Sequence, residues 1–343
     1  MKYIIWFSWW TDSVFVAWKL KQEGHEVLLV NLKNTVEKNK CCEVPTKLFE
    51  IANSLDLPLK IIDVTKDFKK LVVDNFVNAY LKWKTPNPCI NCNEFVRFQM
   101  LEKIRKEYWY DYISTGHYVK RVDIHWFYTF AIPEDKLKDQ TYMLYRVLKY
   151  QNIVKYLEFP IYKYLKKDIK KVISSENIPI DTQKESQNIC FIPDDDYPNY
   201  IKNNININFK KGDIIDMKGN KIWEHNWVVN YTIWQRKWLD LKTNDKKYVI
   251  NIDYKNNVIK VWDDKDLFQN KVCVDELLYF KDYKWPIYAK VRYKSILQEV
   301  ENIEWNCVFF KEPVRAITPW QHLVLYSYND WDYFVLWWWK ILY

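Results

Sequence analysis

The chain has 343 residues, 49% of them hydrophobic, enough for a sizeable core in two or three domains and far from a disordered or collagen-like composition. Its 52 Lys and Arg against 44 Asp and Glu leave a formal charge of +8, which favours a polyanionic partner, although solvated Lys-rich helix faces explain part of the excess. No apolar run approaches the roughly 18 residues of a membrane span, so a soluble, cytoplasmic protein is expected, and seven cysteines without a leader pattern point to reduced, metal-binding or catalytic thiols rather than a secreted disulfide framework.

Residues 2–7 are a short apolar run that reads as a strand, 8–13 a polar turn, and the stretch through Val16 and Leu20 a helix closed by Gly24. A strand at 26–32, a helix at 44–55 and a strand at 59–64 follow. Helical periodicity returns over 67–81, until Lys84-Thr85-Pro86-Asn87-Pro88 breaks all regular structure. Residues 93–107 are again helical, and 111–115 form a strand that enters Gly116-His117. This alternation predicts an α/β fold with a Rossmann-like parallel sheet, whose ligands bind beyond the C-terminal strand ends. A Lys-rich helix at 163–177 precedes an irregular stretch at 182–196, and the Asn-rich segment 203–208 marks a boundary. Alternating runs at 247–252, 258–261, 287–293 and 322–326 predict regularly spaced strands. The expected organisation is a catalytic domain over 1–202, a small central domain over 203–268 and a C-terminal β-barrel over 269–343.

Three motifs carry chemistry. Ser8-Trp9-Trp10-Thr11-Asp12-Ser13 lies between the first strand and the first helix, where backbone N–H groups and the helix dipole hold an anion. Ser8, Asp12 and Ser13 are suited to phosphate and magnesium, while an ordinary strand-to-helix turn with an acidic first turn is the plainer alternative. Thr85-Pro86-Asn87-Pro88-Cys89-Ile90-Asn91-Cys92-Asn93 puts two cysteines on a Pro-bounded loop entering a helix. A thiol there has a lowered pKa and is nucleophilic, with Cys92 the better placed. A zinc knuckle would need a second Cys or His pair at matching spacing, which is missing; a redox pair stays open. Cys190, between Ile189 and Phe191, reads on its own as a buried core cysteine.

Together these segments resemble the tRNA-specific 2-thiouridylases of the ATP-pyrophosphatase (PP-loop) superfamily. The matching segments are SWWTDS at 8–13, Cys41-Cys42, TPNPCINCN at 85–93, STGHY at 114–118, KDQTYMLYR at 138–146, SQNICFIP at 186–193, YTIWQRKWL at 231–239, KVRYKS at 290–295 and AITPWQ at 316–321. The resemblance implies Cys92 as nucleophile and Cys190 as carrier of a persulfide received from a cysteine desulfurase or sulfur-relay protein. It implies that ATP, with magnesium, adenylates C2 of the wobble uridine before sulfur replaces oxygen. Trp6, Phe7, Ser8, Trp9, Trp10, Thr11, Asp12, Ser13, Leu32 and Gly116 fall at ATP-contact positions. Asn87, Pro88, Cys89, His117, Lys138, Asp139, Gln140, Arg292, Tyr293 and Gln321 fall at tRNA-contact positions. Cys89, Cys92 and Cys190 also allow a minor alternative, an iron–sulfur cluster with one open iron.

One feature of the composition stands apart: 19 Trp against 4 Gly, where Gly averages about 7%. The tryptophans at 6, 9, 10, 83, 109, 126, 223, 227, 234, 238, 262, 320, 331 and 337–339 fall where the resembled family has glycine; Trp18, Trp285 and Trp305 are less clear. Read literally, indoles at 9 and 10 occupy space that a phosphate needs. The expectation is therefore a UGA codon that encodes glycine in an AT-rich genome and is read here as tryptophan. The rival readings are a catalytically silent tRNA-binding relative and another adenylating enzyme of the same loop class, such as an amidotransferase-type synthetase. The latter gives no reason for Cys92 and Cys190 together.

Overall fold

The computed structural model describes every residue except 35–45, 83, 125–126, 177, 184–188, 193–195, 205–209, 232, 236–246, 254–255, 276–285, 330–331 and 343. Cys41, Cys42 and parts of the motifs at 186–193 and 231–239 thus lie outside the described residues. The chain forms two compact units, Met1–Asn75 with Pro88–Asp195 and Tyr326–Leu336, and Phe76–Asn87 with Asp196–Leu325 and Trp337–Tyr343. Among the described residues no helix is long and apolar enough to cross a membrane.

The first unit is built on β1 (Lys2–Trp6), α1 (Thr11–Gln22), β2 (Glu26–Lys33), α2 (Thr46–Ser54) and β3 (Leu59–Asp63). It continues through α3 (Phe98–Glu107), β4 (Tyr112–Ser114), the hairpin β5 (Lys120–Ile124) and β6 (Phe127–Ala131), β7 (Leu157–Glu158) and α4 (Lys166–Ser175). Five strands form a parallel sheet in the order β3-β2-β1-β4-β7. β1 and β2 are apolar without alternation because helices cover both of their faces, and Ile4, Ile5, Leu29 and Val30 are fully buried. α1 lies on this sheet through Val14, Phe15, Ala17 and Leu20, packed with Ile169 and Ile173 of α4. Each such aliphatic or aromatic burial is worth about 1.5–3 kcal/mol. α1 owes its place to that face and not to capping, since its N-cap residue Trp10 makes no side-chain cap bond. Successive strands proceed from β1 to one side and resume on the other with β4, so the β1 and β4 ends flank the topological switch point where such sheets bind ligands.

The second unit contains a four-stranded sheet, β10 (Tyr248–Asp253), β11 (Val258–Trp262), β8 (Gly212–Ile215) and β9 (Lys221–His225), in that order. Its other sheet runs β12 (Phe268–Cys273), β15 (Cys307–Arg315), β14 (Gln298–Glu304), β13 (Ile287–Lys290) and β16 (His322–Tyr328), reaching the end of β17 (Tyr333–Lys340). A bridge between Val274 and Ile341, with the Leu342 N–H donating to Cys273 O at 2.8 Å, returns the last strand to the first and closes the antiparallel sheet. Register also sets Cys273 opposite Cys307, and the two form a disulfide. The two cysteines are 34 positions apart in sequence and meet because strand pairing makes them neighbours.

Among the described residues, eight other than glycine hold a positive φ, and five of them are tryptophans: Trp9 (49°), Trp109 (55°), Trp234 (71°), Trp305 (53°) and Trp320 (68°). Three occupy recognisable glycine sites. After α3, the Trp109 N–H donates to Lys106 O and the Tyr110 N–H to Arg105 O, as after α1 the Gly24 N–H donates to Lys21 O and the His25 N–H to Leu20 O; this is the Schellman ending, whose left-handed residue is usually glycine. Trp320 follows Pro319 in a turn closed by the Gln321 N–H on Thr318 O at 3.2 Å, the type II pattern with proline first and glycine second. Trp305 opens the two-residue turn between the paired Glu304 and Cys307, a site that also asks for positive φ. Left-handed backbone costs an L-residue about 1–2 kcal/mol, and five such sites approach the ~5–15 kcal/mol net stability of a folded protein.

Trp109 is 86% exposed, so its indole contributes no burial to offset the strain, and Trp109→Gly is expected to stabilise the fold by about 1 kcal/mol. Trp18 sits mid-helix in α1, packed on the core and 5.7 Å from the Phe15 ring, so Trp18→Gly is expected to destabilise by more than ~1 kcal/mol. Thermal unfolding of the two variants checks this: the midpoint rises for the first and falls for the second.

Candidate active site at the ends of the first and fourth strands

The turn from β1 to α1 is held from both sides. The Phe7 N–H donates to Val30 O at 2.8 Å, and Asn31 Nδ2 donates to Phe7 O at 2.8 Å. Ser13 Oγ donates to Trp10 O at 3.0 Å and receives the Ser8 N–H at 3.2 Å. The β4 loop presses against this turn at Gly116, where a Cβ would stand 2.8 Å from Ser13 N and 2.9 Å from Asp12 Cβ. Only glycine fits there. Asp12 accepts from Tyr118 Oη at 3.0 Å and from Lys166 Nζ at 2.6 Å, which puts a cation beside the helix N-terminus. Thr11 Oγ1 is buried without a hydrogen-bond partner among the described residues, and a buried hydroxyl left so is a vacant position for a polar ligand. Leu32 lies at the C-terminal end of the neighbouring β2. The hydroxyls, the first-turn N–H groups and Lys166 suit a polyphosphate. The indoles of Trp9 and Trp10, ring centroids 6.4 Å apart, do not.

Cys92 lies in the same unit but not at a helix start. The helix begins at Pro88, and Cys92–Arg97 is a π-helical turn between Pro88–Asn91 and α3. A π turn stacks residues five apart, which sets Arg97 on the Cys92 face. Arg97 Nη1 also hydrogen-bonds Asn93 Oδ1 and contacts His117 Nε2 at 3.2 Å, and its guanidinium lies 3.6 Å over the Trp6 ring. Because arginine only donates, His117 Nε2 accepts and His117 Nδ1–H donates to Thr115 Oγ1 at 2.8 Å. Burial, and then Arg97, hold His117 well below its usual range, so it stays neutral.

The expectation of a lowered Cys92 pKa is corrected here. Burial pushes the thiol up to about 11, Arg97 opposes this, and the nearby Cys190 adds to the rise. Desolvation wins because the thiol sits one turn inside the helix, where the first-turn N–H groups no longer face it. Cys190 is half-buried in a turn closed by the Ile192 N–H on Ile189 O at 3.1 Å, and Phe191 anchors that turn edge-to-face on Phe68 at 5.7 Å. Cys89 is exposed and Pro88 buried. Among the described residues no three His, Cys, Asp or Glu side chains are grouped so as to hold a metal ion.

The positions expected to touch RNA divide. His117 is 6% and Asp139 5% exposed, and Asp139 Oδ1 accepts the Thr141 N–H at 2.9 Å, starting a helical turn. Gln140 exchanges hydrogen bonds with the Tyr118 backbone. Lys138 is half-buried. In the second unit, Arg292 heads a turn in which Ser295 Oγ donates to Arg292 O at 2.8 Å, with Tyr293 half-buried beside it. Gln321 Nε2 donates to Thr85 O at 2.7 Å, and Lys84 Nζ lies 3.8 Å over the Trp320 ring, so the segment leading to Asn87 docks on the turn at 318–321. Arg97 and Lys166 escape a reading of the sequence because a single Lys or Arg on a helix is ordinarily a solvated charge.

Residues 1–194 match the family profile described as tRNA methyl transferase HUP domain, and residues 199–263 the one described as tRNA methyl transferase PRC-barrel domain. Over 95% of its length, and 96% of the other protein, the chain is 33% identical to the tRNA-specific 2-thiouridylase MnmA of Clostridium acetobutylicum. It is 32% identical to the tRNA-specific 2-thiouridylase MnmA 1 of Clostridium tetani, over 96% of this chain and 94% of that one. It is also 32% identical to the MnmA 2 of Clostridium botulinum, over 92% of each. The chain belongs to the tRNA-specific 2-thiouridylase family. The profile descriptions speak of methyl transfer, but the relatives matched over nearly the whole chain are named for thiolation.

Since the Cys92 pKa is raised to about 11, its thiolate forms only as pH climbs toward that value. Alkylation followed by peptide mapping is expected to label exposed Cys89 first and Cys92 slowly, the Cys92 rate rising steadily between pH 8 and about 11. Arg97→Met is expected to move that rise to higher pH and Arg97→Lys to restore it; an unchanged profile in Arg97→Met contradicts the pairing.

Proposed function

We propose that this protein catalyses ATP-dependent 2-thiolation of the wobble uridine of tRNA. What carries the reading is the pairing of Cys92 and Cys190, near enough to influence each other's charge, in the unit that also holds the hydroxyl-lined helix N-terminus at 8–13. ATP, with magnesium, is the adenylating substrate: Ser8, Thr11, Ser13 and the first-turn N–H groups of α1 hold its phosphates, and Leu32 and Gly116 border the nucleotide. Attack of the uridine C2 oxygen on the α-phosphorus forms the O-adenylate and releases pyrophosphate. The terminal sulfur of a persulfide on Cys190, supplied by a cysteine desulfurase or sulfur-relay protein, then adds at C2 and expels AMP. Cys92 attacks the Cys190 sulfur, leaving a Cys92–Cys190 disulfide and 2-thiouridine, and an external thiol reduces the disulfide. In the alternative order Cys92 first frees hydrosulfide from the persulfide, and the hydrosulfide attacks C2. The tRNA is held by Lys138, Arg292, Tyr293, Gln321 and the segment Asn87 to Cys89, with Asp139, Gln140 and His117 as positioning residues.

Trp9 and Trp10 favour a second reading, a tRNA-binding relative that does not turn over ATP. Nucleoside analysis of tRNA from cells lacking the gene and complemented with variants separates the two. Under the first reading 2-thiouridine is restored by the natural gene and falls at least 100-fold with Cys92→Ser, Cys190→Ser or Asp12→Ala, in line with the loss of an essential nucleophile or phosphate-site group. Full restoration by Cys190→Ser rejects it, and measurable ATP binding by the natural gene product rejects the second.

A further inference from the structure

Positive φ, rather than size or burial, distinguishes one set of tryptophans from the rest. Trp9, Trp109, Trp234, Trp305 and Trp320 hold it, and none has a side chain that stabilises the left-handed region. Asp56 and Asn257, two of the other three such residues, are of the type whose short polar side chain tolerates it. The elements around the tryptophans are complete: a Schellman ending with both of its bonds, a Pro-led turn with its closing bond, and a hairpin in register across Trp305. In each, the one discordant component is the side chain. By contrast Trp18 has helical neighbours on both sides and a packed indole, and Trp227 has extended backbone (φ −165°) that any residue adopts. Of the four glycines, Gly24 and Gly219 hold positive φ, and a Cβ at Gly116 or Gly212 would collide with neighbouring backbone. Every glycine that remains therefore sits where glycine is required, and the left-handed tryptophans extend the same set of sites.

We propose that the five left-handed tryptophans stand at UGA codons which the source organism reads as glycine, and that its own protein carries glycine there. Variant genetic codes give UGA the meaning of tryptophan or of glycine, whereas UGG means tryptophan alone, so one codon accounts for sites scattered over both units. Trp10, beside Trp9, has an extended backbone (φ −78°, ψ 151°) that any residue adopts, so it stands outside the left-handed set. Trp18 keeps UGG and remains tryptophan.

The inference is independent of the cysteine chemistry. Peptide mass spectrometry of the protein isolated from its own organism is expected to find glycine at 9, 109, 234, 305 and 320 and tryptophan at 18. Tryptophan at the left-handed positions, or UGG codons there, overturns it. A recombinant comparison gives a second readout. With glycine at the five left-handed positions, the unfolding midpoint is expected to rise by at least ~5 °C over the chain as written. An unchanged or lower midpoint overturns the inference, whatever the result for thiolation.

Discussion

The first unit depends on a single constraint: the chain must turn from β1 into α1 within a few residues while a second loop presses on that turn. Gly116 makes this possible, because any side chain there would meet the backbone of Asp12 and Ser13. The close approach fixes the first turn of α1 against the end of β4, with Asp12 held by Tyr118 and Lys166. The first-turn N–H groups of the helix and the buried hydroxyl of Thr11 then lie at the start of α1, beside the switch point of the sheet. The same constraint falls on Trp9, whose positive φ (49°) lies within this turn.

Around the cysteines, two opposing electrostatic effects decide the chemistry. Burial favours the neutral thiol of Cys92, and the guanidinium of Arg97 favours the thiolate; burial wins. The outcome is a thiol held protonated at neutral pH, with the second thiol, Cys190, on a separately anchored turn. Arg97 is held in place by Asn93, His117 and the Trp6 ring, and neutral His117 adds no second positive charge to the cluster.

The parallel sheet was readable from sequence because strands buried on both faces are plain apolar runs, as in Tyr3, Ile4 and Ile5 or Val27 to Val30. The hairpin Lys120–Ile124 with Phe127–Ala131 was not, because Lys120, Arg121 and Asp123 interrupt the pattern. Nor were Gln298–Glu304 and most of Cys307–Arg315, whose exposed charges hide their alternation. The π turn at Cys92–Arg97 leaves no mark on hydrophobic periodicity, so both the start of that helix and the sign of the Cys92 shift were misread. The motif residues were legible as a set, but the partners that orient them, Arg97, Thr115 and Lys166, emerge only when distant segments fold together. The tryptophans were visible as an excess; backbone angle then divided them into those that fit and those that do not.

The most direct test of the account is a single turnover of the natural gene product, loaded with persulfide on Cys190, given tRNA and ATP, and quenched under non-reducing conditions. Peptide mapping should reveal a Cys92–Cys190 disulfide that appears in step with 2-thiouridine and with AMP, and none of the three without ATP. Thiolated tRNA formed with both cysteines unmodified, or formed equally without ATP, would contradict it.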